Sequence, residues 1–219
     1  MAAVGEDIEQ LDAILLTHEH SDHISAAPVM ARRLKKPKPF FLTRLTGPAI
    51  DWEESIPVLE PFQAGARFTI GDIEVQSFSI PHDAIDPVGF CLYAGEVKVA
   101  VATDLGYLTE SVKYHLRRCN LLLLESNHDL EMLKVGPYPW SVKQRVMSRV
   151  GHLSNQHMSD FLMQDFDGAA TRLILGHLSD NNNHPEIVRL MATQALERRG
   201  LATPLDIASQ TKSSEVYQF

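Results

Sequence analysis

The chain has 219 residues; 44% of them are hydrophobic, 22% are charged, and the formal charge at pH 7 is −8. This length fits one large domain, residues 1–219, with a substantial buried core. Such an acidic chain is not a general nucleic-acid coating protein, although bound cations can let an acidic enzyme act on nucleic acid. The basic run "RRLKKPK" (32–38) predicts a solvated helix end, with phosphate contact as the alternative.

No apolar run approaches the roughly 20 residues that span a bilayer, and the N-terminus has neither the basic nor the apolar region of a signal peptide. The only cysteines are Cys91 and Cys119, and each lies in or near an apolar segment, which favours reduced buried thiols. These features predict a cytoplasmic protein that has no membrane partner. They leave its oligomeric state open.

Short β-rich runs alternate with amphipathic segments along the chain. Apolar strands separated by helices are typical of an α/β fold whose sheets are covered on their outer faces. The predicted strands and hairpins are 12–17, 67–80 (turning at Gly71-Asp72), 88–103 (turning at Ala94-Gly95), 120–126, 171–177 and 204–210. The predicted helices are 25–36, 109–119 with Thr109 as N-cap, 154–166 capped by Ser154, and 185–200 between Pro185 and Gly200.

Potential metal ligands stand where several of these strands end. The strand at 12–17 leads into "HEHSDH" (18–23), and later strands lead to His82, Asp104, Glu125 and His177. Strands that share a direction bring such residues to one edge of a sheet. Because imidazole nitrogens and carboxylate oxygens are ligands for Zn²⁺, Mn²⁺ or iron, the pattern predicts a metal site at that edge.

The spacing within "HEHSDH" predicts how its residues are used. His18 and His20 are two residues apart, so an extended backbone points both side chains the same way. Asp22 and His23 follow in the turn, where they can address a second ion nearby. Asp104 has its own strand end and is the candidate for a carboxylate shared between two metals roughly 3.5–4 Å apart.

Three other ionisable residues are interpreted as structural. Glu19 lies between the histidines of the motif and is expected to point away from the ligands. His115 and His157 fall on the surfaces of predicted helices and are interpreted as structural for that reason. None of the three is given a catalytic role.

The string "THEHSDH", with the later single His, Asp and His, resembles the metallo-β-lactamase superfamily, which implies an αββα four-layer sandwich with a dinuclear metal site. Six further strings resemble the YycJ/WalJ branch of exonuclease-like phosphodiesterases, relatives of ribonuclease Z. They are "HDAIDPVGF" (82–90), "ATDLG" (102–106), "LLLESNHD" (122–129), "GPYPW" (136–140), "GHLSN" (151–155) and "LGHLSDNNNHPE" (175–186). The resemblance covers nearly the whole chain.

The sequence departs from the superfamily at its start. Members begin with a glycine- and serine-rich strand-turn and then a strand that ends in Asp-Gly, whereas this chain starts at "MAAVGEDIEQLD", just before the first motif. We therefore expect either an N-terminally truncated domain or a domain that genuinely lacks the opening strands. It would lack an aspartate that supports the metal histidines in relatives, so a catalytically impaired fragment is one alternative.

The resemblance implies that seven side chains bind two divalent ions, Zn²⁺ or Mn²⁺. The implied ligands are His18, His20 and His82 for one ion, Asp22, His23 and His177 for the other, and Asp104 as the bridge. The strand-end pattern selects the same residues.

The expected chemistry is hydrolysis of a phosphodiester by a hydroxide that bridges the two metals. Asp22 would orient this hydroxide as well as bind metal. His152 of "GHLSN" is expected to give a proton to the leaving alkoxide, with Glu125 orienting it, as the resemblance to ribonuclease Z implies. The alternative for His152 is a structural role beside the helix that Ser154 caps.

Weaker candidates for substrate contact follow two of the strands; they are His128, Ser179, Asn182 and Asn183. The last three could donate to phosphate or serve as turn formers. Tyr138 and Trp140 could stack a base, but "GPYPW" is more typical of a rigid loop.

The leading hypothesis is a dinuclear-metal-dependent phosphodiesterase, a DNA exonuclease with nucleic acid as its partner. The alternative is an acyl hydrolase acting on a thioester, lactone or lactam, because the same metals polarise a carbonyl. The segment from "ESNHD" to "GHLSN" favours phosphodiester chemistry.

Overall fold

The computed structural model describes residues 4–219. The chain divides into two compact units. The first holds residues up to Ser79 together with Ala84–Phe90, and the second holds Ile80–Asp83 together with Cys91–Phe219. No helix in the described range is long and apolar enough to cross a membrane. The prediction of a single domain over 1–219 stays a prediction.

The first unit contains two groups of strands and two short helices. Its elements are β1 (Ile14–Leu15), α1 (Ser21–Ile24), α2 (Ala27–Arg33), β2 (Pro39–Thr43), β3 (Val58–Phe62), β4 (Arg67–Ile70) and β5 (Ile73–Ser79). Strands β1, β2 and β3 form a parallel sheet in that order, and β4 and β5 form an antiparallel hairpin.

Successive side chains of strand β2 point to opposite sides of the strand, and each side packs against another element of this unit. Phe40 lies in a core cluster with Ala27 of helix α2 and Leu16. Phe41, the next residue, stacks on Phe68 of β4 with ring centroids 4.8 Å apart. The first unit is therefore layered, with a helix on one face of the parallel sheet and the β4–β5 hairpin on the other.

The second unit is a parallel sheet with five helices. Its elements are β7 (Val97–Ala102), α3 (Glu110–Leu116), β8 (Leu121–Glu125), α4 (Leu130–Val135), α5 (Trp140–Val146), α6 (Asn155–Gln164), β9 (Arg172–Gly176), α7 (Pro185–Arg198) and β10 (Leu205–Ile207). The parallel order is β7-β8-β9-β10. Strand β6 (Val88–Ala94) carries the chain from the first unit into the second.

Most of the predicted elements are confirmed. The first hairpin turns at Gly71-Asp72, where Ile70 pairs with Ile73 and Gly71 has a φ of +61° that glycine adopts without strain. Helix α3 begins after Thr109, whose hydroxyl accepts a hydrogen bond from the Val112 backbone N–H at 3.1 Å. The predicted α/β class is confirmed, and each of these elements forms because its own residues specify it locally.

The structure also corrects several boundaries. The helix predicted over 25–36 runs only from Ala27 to Arg33, and Asp22 lies in the separate short helix α1 rather than in a turn. Strands β2 and β3 and helices α4 and α5 were not predicted. Cys91 and Cys119 are buried and form no disulfide, as expected, and burial raises the pKa of the Cys119 thiol to about 12.

Candidate metal centre

The histidine motif of the first unit begins directly after a strand. Strand β1 ends at Leu15, and three residues later the fully buried His18 begins the motif. The hydroxyl of Thr17 lies 3.1 Å from Nδ1 of His18 and 3.1 Å from Nδ1 of His23. These contacts of Thr17 were not predicted from the sequence. The only signal for it is its place immediately before the motif.

The imidazoles of the motif lie against one another. Nε2 of His18 is 3.1 Å from Nδ1 of His20, and the ring centroids of His18 and His23 are 4.1 Å apart. Nε2 of His23 lies 3.6 Å from a carboxylate oxygen of Asp22. The four predicted ligands of the motif are therefore close together within this unit. Their nitrogens and oxygens suit a borderline metal ion such as Zn²⁺.

Glu19 has a structural contact, in agreement with the interpretation from sequence. One of its carboxylate oxygens accepts a hydrogen bond from the Ile85 backbone N–H at 2.9 Å. The Val88 backbone N–H donates to the Thr17 carbonyl at 3.1 Å. These two bonds tie the segment 84–90 to the residues on either side of His18.

In the second unit, the side chains are organised around the carboxylate of Glu125. This residue ends β8 and is fully buried. One oxygen accepts from Nδ1 of His152 and from Nδ1 of His177, both at 2.8 Å. The other oxygen accepts from the backbone N–H groups of Leu105 at 2.6 Å and Leu153 at 3.0 Å. Four donors therefore hold the carboxylate in place.

These contacts decide the charge of Glu125. Burial alone would raise the pKa of its carboxyl, but the hydrogen bonds from His152 and His177 outweigh burial and hold the pKa below its usual range. The sequence predicted the contact with His152 but not the one with His177. The β8–β9 register explains the second contact, because Glu125 pairs with Gly176, the residue before His177.

Asp104 faces one ring nitrogen from each of two histidines. Its Oδ1 lies 3.5 Å from Nε2 of His177 and 3.8 Å from Nε2 of His82. These separations are long for hydrogen bonds but close to the ~3.4 Å between neighbouring ligands of one tetrahedral ion with bonds of about 2.1 Å. Asp104 and His177 also have φ values of +63° and +57°, which cost energy outside glycine and cluster at functional sites. The donor set therefore fits a metal ion.

His82 is oriented by a backbone carbonyl. Its Nδ1 lies 3.1 Å from the Gly151 carbonyl oxygen, which leaves Nε2 facing Asp104. Burial lowers the pKa of His82, so its neutral form, the one that binds metal, is favoured. Gly151 is required here, because a Cβ at this position would lie 2.2 Å from the Arg145 carbonyl oxygen.

His152 combines a fixed ring with partial access to solvent. Burial acts to lower its pKa, but the hydrogen bond to Glu125 outweighs burial and raises the pKa above its usual value. About 23% of the side chain is exposed. One ligand-type atom from each of Asp104, Glu125, His152 and His177 lies within 4.8 Å of the others, so these four side chains also form a group that could hold a metal ion.

Three of the four weaker candidates for substrate contact are buried. The side-chain N–H of Asn183 donates to the Ser126 carbonyl at 2.8 Å, and its oxygen accepts from the His184 backbone N–H at 2.9 Å. The hydroxyl of Ser179, the fourth candidate, accepts from the backbone N–H of the buried Asn182 at 3.3 Å. These contacts are those expected of turn formers, and a role in substrate binding stays a prediction.

His128 differs from the others because it is buried at 1% exposure without a hydrogen bond to either ring nitrogen within the described part of the chain. Burial lowers the pKa of its imidazole to about 4, so the ring is neutral near pH 7. Its predicted contact with substrate or metal stays a prediction.

Comparison with known proteins identifies the family. The β-lactamase superfamily domain matches residues 1–178. The chain belongs to this superfamily. It is similar to exodeoxyribonuclease YycJ of Bacillus anthracis, with 38% identity over 197 residues that cover 89% of this chain and 74% of that protein. It is also similar to exodeoxyribonuclease WalJ of Streptococcus pneumoniae, with 32% identity over 211 residues that cover 94% and 78% of the two chains.

A solved structure supports the fold. The metallo-β-lactamase fold protein YhfI of Bacillus subtilis matches with a TM-score of 0.68 and 19% identity, covering 91% of this chain and 76% of that one. The superfamily resemblance and the metallo-β-lactamase-like fold inferred from the sequence strings are therefore confirmed. The chain is a metal-dependent hydrolase, and its fold family binds divalent metal ions.

Proposed function

We propose that the chain is a dinuclear-metal-dependent phosphodiesterase that removes nucleotides from the ends of DNA. The observation that carries this proposal is the position of His152, held by the buried carboxylate of Glu125 with its Nδ1 3.8 Å from Asp104. A fixed imidazole of raised pKa beside the metal ligands suits protonation of a leaving alkoxide. The relatives named exodeoxyribonucleases, at 38% and 32% identity, support DNA as the substrate.

The proposed metal ligands are the seven residues that the motifs and the family imply. They are His18, His20 and His82 for one ion, Asp22, His23 and His177 for the other, and Asp104 as the bridge. Support comes from each unit by itself: the imidazoles of the motif gather in the first, and Asp104 faces two histidine nitrogens in the second. Imidazole and carboxylate donors suit Zn²⁺ or Mn²⁺. Two such ions, when bound, supply a nucleophile from water near neutral pH and neutralise charge on the phosphate.

Three side chains have proposed roles in positioning the water and moving the proton. The Asp22 carboxylate is 64% exposed, so it can reach and orient the attacking water. Glu125 holds Nδ1 of His152, which leaves Nε2 as the nitrogen that gives its proton to the leaving oxygen. The raised pKa of His152 keeps this proton in place before the reaction.

The test is digestion of end-labelled linear duplex DNA by the metal-loaded chain, with a closed circular plasmid as the control. We expect mononucleotides from the linear DNA, an intact plasmid, and loss of activity on addition of chelator. The same preparation is assayed on bis(p-nitrophenyl) phosphate, S-lactoylglutathione and nitrocefin. Hydrolysis of either acyl substrate with no cleavage of DNA or of the phosphodiester would overturn the proposal. The His152→Ala variant, purified identically, identifies any contaminating nuclease.

A further inference from the structure

The second unit contains a cavity of about 200 Å³ that the proposed reaction does not use. Tyr107 and Leu108 form one wall, and helix α6 forms the other with His157, Asp160, Phe161 and Gln164. Tyr107 follows Asp104 by three residues, and His157 follows His152 by five. The cavity is therefore lined by residues that follow these two closely in the sequence. Its volume lies below the roughly 300–1,000 Å³ of sites for drug-sized ligands, so it suits a single ring system.

The aromatic wall of the cavity is fixed in place. The Arg149 guanidinium lies over the Tyr107 ring, 4.2 Å from its centroid, in a cation–π contact. Gly106 packs directly against the Arg149 backbone, where a Cβ would lie 2.1 Å from the carbonyl oxygen. The Tyr107 ring is thus held between the loop after Asp104 and the turn before His152, and it needs little reordering to receive a planar ligand.

The polar groups of the cavity disfavour an anionic group inside it. Its one lysine, Lys113, is paired with Asp165 at 2.8 Å and with Glu110 at 2.9 Å, so its charge is already neutralised. Asp160 and Asp165 would repel a phosphate. The Gln164 side chain is exposed, so its amide offers both a donor and an acceptor, whereas Oδ1 of Asp160 already accepts from the Gln156 amide at 2.8 Å. Apolar and aromatic walls with an amide and a carboxylate at the edge match the faces and edges of a nucleobase.

We propose that this cavity binds one nucleobase of the DNA substrate. The base stacks on Tyr107, and its polar edge contacts Gln164 and Asp160. This inference rests on the proposed function for the identity of the ligand, but not for the existence of the site. The cavity would then hold a base near the end of the DNA strand. The enzyme would therefore cut DNA with an intact base at that position faster than DNA that lacks it.

The cleavage test compares duplexes that are identical except for a tetrahydrofuran abasic residue at the first, second or third nucleotide from the end. We expect wild-type chain to cut one of the abasic duplexes at least several-fold more slowly. Tyr107→Ala should raise KM for intact DNA roughly five- to hundredfold and abolish this discrimination, whereas Tyr107→Phe should retain it. Gln164→Ala should raise KM roughly two- to tenfold. Gln144→Ala, an exposed change on α5 outside the cavity, is the matched control.

A binding test separates the site from the reaction. Deoxyadenosine 5′-monophosphate is added to the metal-loaded chain, and saturation-transfer NMR compares its adenine protons with its sugar protons. We expect stronger saturation of the adenine protons than of the sugar protons. This difference should disappear in Tyr107→Ala and Gln164→Ala while their melting temperatures stay unchanged. Such a result supports the site even if DNA is not cleaved. In that case only the proposed function fails. Two outcomes would overturn the site. In the first, the chain cleaves DNA, cuts abasic and intact ends equally fast, and shows no adenine saturation. In the second, the chain does not cleave DNA and shows no adenine saturation.

Discussion

The two units hold their histidines by different physical means. In the first, the ligands lie within six consecutive residues, and the hydroxyl of Thr17 contacts two of their rings. In the second, His152 and His177 come from separate segments and share one buried carboxylate, Glu125. The first arrangement depends on local backbone, whereas the second depends on strand register and burial. A single substitution should therefore disturb the second unit more than the first.

The largest effect is expected from Asp104→Asn, which removes charge while keeping the shape and tolerance for positive φ. Because Asp104 faces two histidine nitrogens, we expect metal content to fall and hydrolysis to drop to background. Asp72→Asn, an exposed change in the β4–β5 turn, is the control. Full metal content and normal turnover in Asp104→Asn would show that this carboxylate is not a ligand.

His152→Ala should have the next largest effect on turnover. Loss of a general acid typically slows a reaction by roughly 10²–10⁴-fold. Metal content should stay equal to wild type, because the role assigned to His152 is proton donation. The two readouts are the rate of DNA digestion and metal analysis of the same sample. A matching loss of metal would make His152 a ligand instead.

Glu125→Gln tests the shared carboxylate of the second unit. We expect metal affinity to fall roughly 10–100-fold, since partners that orient ligands have effects of this size. The free energy of unfolding should fall by about 1–3 kcal/mol, because the amide cannot accept all four hydrogen bonds. Chelator competition and urea unfolding measure the two quantities. Glu131→Gln, at a side chain that is 80% exposed, is the matched control and should change neither.

Thr17→Val should have the smallest effect, because it removes one hydroxyl and keeps the shape. We expect metal affinity to fall by less than about tenfold and the free energy of unfolding to fall by about 0.5–1.5 kcal/mol. Thr17→Ser should retain most of both, and the exposed Thr69→Val should match wild type. If Thr17→Val costs as much metal affinity as Glu125→Gln, the contrast between the two units is wrong.

This contrast also explains what could be predicted from sequence. The motif "HEHSDH" is recognisable because its ligands are neighbours in the chain, and Asp104 and His177 are recognisable because each follows an apolar strand. The second bond of Glu125 depends on its pairing with Gly176, which is set by strand register and not by any local pattern. Likewise, the Thr17 hydroxyl contacts His23, a residue six positions away, and this contact depends on how the intervening backbone turns.

The missed strands have physical reasons of their own. Strand β3 contains Pro61 and is exposed at every position except Phe62, so it lacks both the alternation and the composition of a typical strand. Strand β2 is only five residues long and starts at Pro39.

Helix α4, by contrast, has a local signal in the sequence that was overlooked. Its N-cap residue is Asp129, whose carboxylate accepts from the Glu131 and Met132 backbone N–H groups.

The dinuclear centre is tested most directly by metal content per chain, measured by plasma mass spectrometry on protein purified without chelator. We predict about two divalent ions per chain for wild type and for His152→Ala, and clearly fewer for Asp104→Asn. Well under one ion per wild-type chain would contradict the proposed dinuclear centre.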